Sequence, residues 1–86
     1  MDNFMTKWDD LTRREKEIFA HLIEGKTDQQ IGETLYLSVK TVATHVHHVL
    51  KKFGAQSRAQ LIVFYYRDSG ITIIKEGPNY GIHKAA

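Results

Sequence analysis

Residues 27–54 read TDQQIGETLYLSVKTVATHVHHVLKKFG, and this stretch decides the fold. It opens on Thr27-Asp28-Gln29-Gln30, a capping-box pattern. The hydroxyl accepts from the backbone three residues on, and the Gln side chain reaches back. Asp28 also suits the positive end of a helix dipole. Ile31 and Leu35 follow at i, i+4, which predicts a short helix of about eight residues that is marginal on its own. Leu35-Tyr36-Leu37-Ser38 makes a tight link, and Ser38 caps a longer helix. Along that helix Val39, Val42, Val46, Val49, Leu50 and Phe53 recur at spacings of three and four, one buried stripe. Lys40, Thr44, His47 and Lys51 recur on the opposite side, with Thr41, His48 and Lys52 beside them. Gly54 ends it. A short capped helix, a tight link and a longer helix with one apolar and one basic-polar stripe form a helix-turn-helix pattern.

The flanking sequence completes a bundle. Thr12-Arg13-Arg14-Glu15 is a second capping box, with Leu11 placed as a hydrophobic staple. Ile18, Phe19, Leu22 and Ile23 then line one helix face, and Gly25 is a natural left-handed stop. Glu15 serves the cap; Arg14 and Glu17 are expected to pair and fix helix packing. Residues 1–10 read as an arm, with Phe4, Met5 and Trp8 at no clean period and Trp8 packing back onto the domain. Ser57 caps a last helix from Arg58 to Ser69, stopped by Gly70. Its expected inner face is Ala59, Ile62, Val63 and Tyr66. That leaves Leu61, Phe64 and Tyr65, too apolar for a solvent face, as a homodimer surface. Beyond it, Ile71-Thr72-Ile73-Ile74-Lys75 is strand-like and Glu76-Gly77-Pro78-Asn79 is a turn signal. Tyr80 to Ala86 either returns as a second strand or takes no fixed form. The strand either adds across a dimer or folds back on its own domain. The expected architecture is therefore an all-α, four-helix helix-turn-helix domain at residues 11–70. An arm at 1–10 precedes it, and an extension at 71–86, in one form a short β-hairpin, follows.

Composition removes most other classes. The 86 residues contain no Cys, which excludes a disulfide scaffold, a Cys-type zinc finger, an iron–sulfur site and a Cys nucleophile. The six glycines stand apart at helix ends and turns, so there is no phosphate-cradling loop. No nucleophile elbow and no matched carboxylate pair is present, and the chain does not read as an enzyme. No apolar run approaches a membrane span and no signal-peptide pattern opens the chain, so a soluble cytoplasmic protein is expected. His45 and His48 lie one helical turn apart, but no acid or Cys accompanies them, and neither metal nor cofactor is expected.

Charge is segregated. Met1 to Leu37 carries five Lys/Arg against eight Asp/Glu; Ser38 to Arg58 carries four Lys/Arg, three His and no acid. A merely solvated face usually mixes signs, so the acid-free tract points to an anionic partner, double-stranded DNA. Lys40, Lys51 and Lys52 are suited to phosphates, and Thr41 to a phosphate oxygen. Thr44 and His47 are suited to base edges, Ala43 or a Thr methyl to a thymine methyl. His48 and Arg58 are counted with the same surface. The rival reading is a small interaction module that binds and modulates another regulator through its last helix or its tail. Neutralising the lysines discriminates the two, since only a DNA reader then loses affinity and salt dependence.

Leu11 to Ile18 (LTRREKEI), Gly25 to Ile31 (GKTDQQI), Leu37 to Val42 (LSVKTV) with His45-Val46, Leu50 to Gly54 (LKKFG) and Ser57-Arg58-Ala59 together resemble the LuxR/GerE-type helix-turn-helix family, also called NarL/FixJ-type. The resemblance spans residues 11–70. It implies a four-helix DNA-binding domain that dimerises through its last helix on inverted repeats, with helix 39–53 in the major groove. It implies backbone contacts by Lys40 and Thr41, base-reading positions at Ala43, Thr44 and His47, a phosphate contact by Lys51 and a structural use for His45. Two departures stand out. Family members often carry a basic or amide residue where this chain has Ala43, and usually Ala where it has Gly32.

Overall fold

A computed structural model describes residues 3–68 and 71–84. It is mostly helical: α1 (Phe4–Asp9), α2 (Arg13–Ile23), α3 (Asp28–Leu35), α4 (Val39–Phe53) and α5 (Arg58–Arg67), then a hairpin of β1 (Ile71–Glu76) and β2 (Asn79–Lys84). The expected end of the last helix at Ser69 and Gly70 lies outside the described residues.

The caps form as the sequence predicts. Thr12 Oγ1 accepts from the Glu15 N–H at 3.1 Å and Glu15 Oε1 accepts from the Thr12 N–H at 2.9 Å. Thr27 and Gln30 repeat the exchange at 3.2 and 2.9 Å. Ser38 and Ser57 cap α4 and α5 with single bonds of 3.1 Å. Gly25 (φ 83°) and Gly54 (φ 67°) take the left-handed turns that end α2 and α4.

Two expectations are corrected. Residues 4–9 are a helix, not an arm: Asn3 caps it by accepting from the Thr6 N–H at 3.0 Å. Its one turn and a half puts Phe4 and Trp8 on one face, both buried. The second correction is the rotation of α5. Leu61 is fully buried and Tyr65 is 8% exposed, so neither can form a dimer surface. Phe64 is half-buried, while Ala59, Val63 and Tyr66, expected inside, are exposed. The reason is the aromatic cluster. The Phe4, Phe19, Phe53 and Tyr65 rings lie 5.1–6.2 Å apart from one another where they touch, and Trp8 meets Phe19 edge-on at 5.4 Å. Tyr65 completes that cluster, which fixes Leu61 beneath it one turn away. On α4, Val42, Val46, Val49 and Phe53 are buried as expected, but Val39, in the first turn, is half exposed.

The link between α3 and α4 is tight because residue 32 has no side chain. Gly32 O accepts from the N–H of Tyr36 and, at 2.9 Å, of Leu37. A Cβ at Gly32 would lie 2.5 Å from the Leu37 carbonyl oxygen. The departure from the usual Ala thus has a packing reason in this chain.

The hairpin exists and folds back on its own domain. Ile71 pairs with Lys84 and Glu76 with Asn79 around the two-residue turn Gly77-Pro78. Gly77 has φ 59° and Pro78 is confined to negative φ, the combination of a II′ turn. Ile71 is buried, and Ile73, Tyr80 and Ile82 pack on the core. The Ile73 N–H donates to Tyr65 Oη at 3.4 Å, and Arg13 Nη2 donates to the Pro78 carbonyl at 3.3 Å. The Tyr80 ring sits 6.5 Å from that of buried His21. Burial holds the His21 pKa below its ordinary 6.5, and the Lys26 ammonium, 2.9 Å from its Nδ1, adds to this.

Two predictions follow from this packing. Gly32→Ala should lower the unfolding free energy by about 1–3 kcal/mol in urea titration, since backbone must move to admit the methyl; an unchanged midpoint would contradict the close approach. Because the fold lowers the His21 pKa, the unfolded chain binds more proton than the folded chain as pH falls through the ordinary histidine range. Stability should therefore fall on acidification from about pH 7.5 to 5.5, and His21→Leu should flatten that fall. An equal fall in both proteins would contradict the assignment.

Candidate nucleic-acid interface

Helix α3 packs against α4, and α4 against α2, so α4 has one face in the core and one in solvent. Lys40, Thr41, Ala43, Thr44, His47, His48 and Lys51 are all exposed, while His45 is half-buried. Thr41 Oγ1 accepts from Ser38 Oγ at 2.9 Å, and Thr44 Oγ1 donates to the Lys40 carbonyl at 3.1 Å. Both threonine side chains are thereby oriented, and each keeps lone-pair capacity for a further partner. Lys40 and Lys51 have no carboxylate partner among the described residues. The structure thus brings seven of the nine expected DNA-facing residues onto one acid-free surface.

The other two belong to the frame. Lys52 Nζ lies 2.7 Å from Glu15 Oε1 and 3.0 Å from the Asp10 carbonyl, so it ties the end of α4 to the start of α2. Burial pushes the Glu15 carboxyl up, but the hydrogen bond from Lys52 and those from Thr12 outweigh it and hold the pKa below the ordinary carboxylate value. His48 Nδ1 stands 4.0 Å from Glu15 Oε2, at the margin of the same group. Arg58 Nη2 pairs with Asp28 Oδ1, locking α5 to the first turn of α3. Lys52 and Arg58, expected on the DNA-facing surface, are thus each held in an ion pair between elements, Lys52 with Glu15 and Arg58 with Asp28. Arg14 and Glu17 pair at 2.8 Å within α2. Sequence reasoning missed both long-range clamps because each joins residues thirty or more positions apart and leaves no period to read.

It also missed Tyr36. This residue is 93% exposed and has φ 58°, the left-handed region, at the C-cap of α3. The signal available was an aromatic residue in a link too short to bury it.

A capped helix pair with an acid-free, solvent-facing second helix defines a helix-turn-helix DNA-binding domain. Comparison with known proteins specifies it: the family model for bacterial regulatory proteins of the luxR family matches residues 9–65, and the chain belongs to that family. The transcriptional regulatory protein LiaR of Bacillus subtilis is 43% identical over 58 residues, 67% of this chain and 28% of LiaR. The spore germination protein GerE of the same organism is 40% identical over 53 residues, 62% of this chain and 72% of GerE. Among solved structures, the Vibrio cholerae VqmA dimer without target DNA superposes with a TM-score of 0.66 at 37% identity. That match covers 70% of this chain and 27% of VqmA, so this chain spans under a third of the length of LiaR and of VqmA.

The two neighbouring lysines of α4 should separate cleanly. Lys52→Met should destabilise the fold by about 1–2 kcal/mol, discounted for its partial exposure, and leave the salt dependence of DNA binding unchanged. Lys51→Met should leave stability unchanged and make the salt slope shallower by about one. Urea titration with fluorescence anisotropy on duplex DNA measures both, and a reversed pattern would contradict the division of roles.

Proposed function

We propose that the chain is a sequence-specific DNA-binding transcriptional regulator that acts as a homodimer, with α4 in the major groove. The observation that carries the reading is the exposed face of α4. Lys40 and Lys51 have no carboxylate partner among the described residues, Thr44 and His47 lie between them at helical spacing, and no acid interrupts the tract. In this pose Lys40, Thr41 and Lys51 meet the phosphate backbone. Ala43, Thr44 and His47 meet base edges, with His48 at the margin. The luxR-family membership and the regulator names of its relatives support the class.

The dimer surface is proposed on α5. Val63 and Tyr66 are 52% and 67% exposed, with Ala59 on the same side and Phe64 half-buried beside them. An exposed apolar face on a small domain favours association. Two-fold pairing also doubles the contacts available on an inverted repeat. The name of the VqmA structure describes a dimer, and the same state is proposed here.

The test is selection from a random-sequence duplex pool, followed by sedimentation with the enriched duplex. An enriched inverted repeat bound by two chains is expected, and Val63→Glu with Tyr66→Glu should reduce affinity and leave one chain bound. Retention without enrichment would remove sequence specificity from the reading. Absence of binding at low salt by the folded chain would favour the rival interaction module and overturn the proposal.

A further inference from the structure

Tyr36 is the most exposed large apolar side chain among the described residues, and the one non-glycine residue there with positive φ. A Cβ in the left-handed region crowds the backbone, at a free-energy cost that Gly would not carry and Asn would carry less. The fold thus keeps a bulky ring where its backbone is best served by Gly, and at 93% exposure the ring returns no packing. An unrelieved cost at a surface position points to a use outside the fold.

The position says which use. Tyr36 stands two residues before Ser38, the N-cap of α4, and Val39, the first residue of α4, is 51% exposed. Both are exposed and lie within five residues of Lys40 and Thr41, the leading end of the acid-free face. The other exposed large apolar residues, Met5, Val63, Tyr66 and Ile74, lie on α1, α5 and β1. Tyr36 and Val39 therefore lie at the entry to the helix of the proposed DNA surface and on other elements than the proposed dimer surface.

We propose that Tyr36 is a further DNA-contacting residue. Its ring lies against the deoxyribose edge beside the groove, with Val39 alongside, and its phenol O–H donates to a phosphate oxygen. This contact anchors the link between α3 and α4 and limits how deeply α4 enters the groove. The inference rests on the DNA-binding reading above.

The experiment compares Tyr36→Gly, Tyr36→Phe and Lys40→Ala with the unaltered chain. Each is measured for its thermal unfolding midpoint and for its affinity toward the duplex that the unaltered chain enriches from the random pool. Tyr36→Gly should raise the midpoint and yet weaken binding by more than about tenfold, since it loses both the hydrogen bond to a charged acceptor and the ring contact. Tyr36→Phe should leave the midpoint unchanged and fall between the two in affinity. Unchanged affinity in Tyr36→Gly, with Lys40→Ala weakened, would overturn the Tyr36 contact and leave the DNA reading standing. A fall in both midpoint and affinity in Tyr36→Gly would make the residue structural and also overturn the contact. Full affinity in Lys40→Ala as well, or an unaltered chain that binds no duplex, would overturn the DNA reading together with the proposal.

Discussion

Phe19 of α2 lies where four helices meet, and the packing of α1, α4 and α5 closes around it. It is fully buried, and rings from α1, α4 and α5 reach it: Phe4 and Trp8, Phe53, and Tyr65. In a domain of this size such a cluster is a large part of the core, because little surface is available to bury. Phe53 sits at the last turn of α4. Its insertion, with Val49, Val46 and Val42 repeating toward the N-terminus, turns the opposite stripe of α4 to solvent. The basic face is thus a consequence of core packing about three turns long.

A polar frame then fixes what the core only orients. Glu15 is buried, caps α2 and holds Lys52 across from the end of α4. Asp28 serves the start of α3 and holds Arg58 of α5. Each carboxylate begins as a local helix-start residue and is used a second time between elements. Breaking either pair would leave a charge partly desolvated without its partner, which is the costly half of such arrangements. Lys52 is held in this frame, while its neighbour Lys51 has no carboxylate partner among the described residues.

How much of this was legible follows from range. The caps at Thr12, Thr27, Ser38 and Ser57, the left-handed glycines and the buried stripe of α4 are local patterns, and the sequence displays them directly. The exposed face of α4 was legible for the same reason, since it is the complement of that stripe. Helix α5 was not. Leu61 to Tyr66 is apolar all round, so its period selects no face, and Tyr65 turns inward only because rings from α1, α2 and α4 are there to meet it. Helix α1 is too short to show a period, and its one sign was Phe4 and Trp8 at i, i+4. The hairpin could be read as strand and turn, but β2 is held against α2, and β1 is tied to Tyr65 of α5, by contacts that no local pattern encodes. Among the expected interface residues, Lys52 and Arg58 also pair with the distant acids Glu15 and Asp28, which no local pattern announces.

The central claim is that the exposed stripe of α4 is the surface that engages DNA while the rest of the fold stays fixed. The most direct measurement is the change in backbone amide NMR shifts as duplex DNA is added to the folded chain. The account predicts the largest changes from Tyr36 through Lys51 on the exposed side of α4. Resonances of the hairpin and of the Phe19 cluster should stay almost still. Changes centred on the hairpin, or on α5 with α4 unaffected, would contradict it.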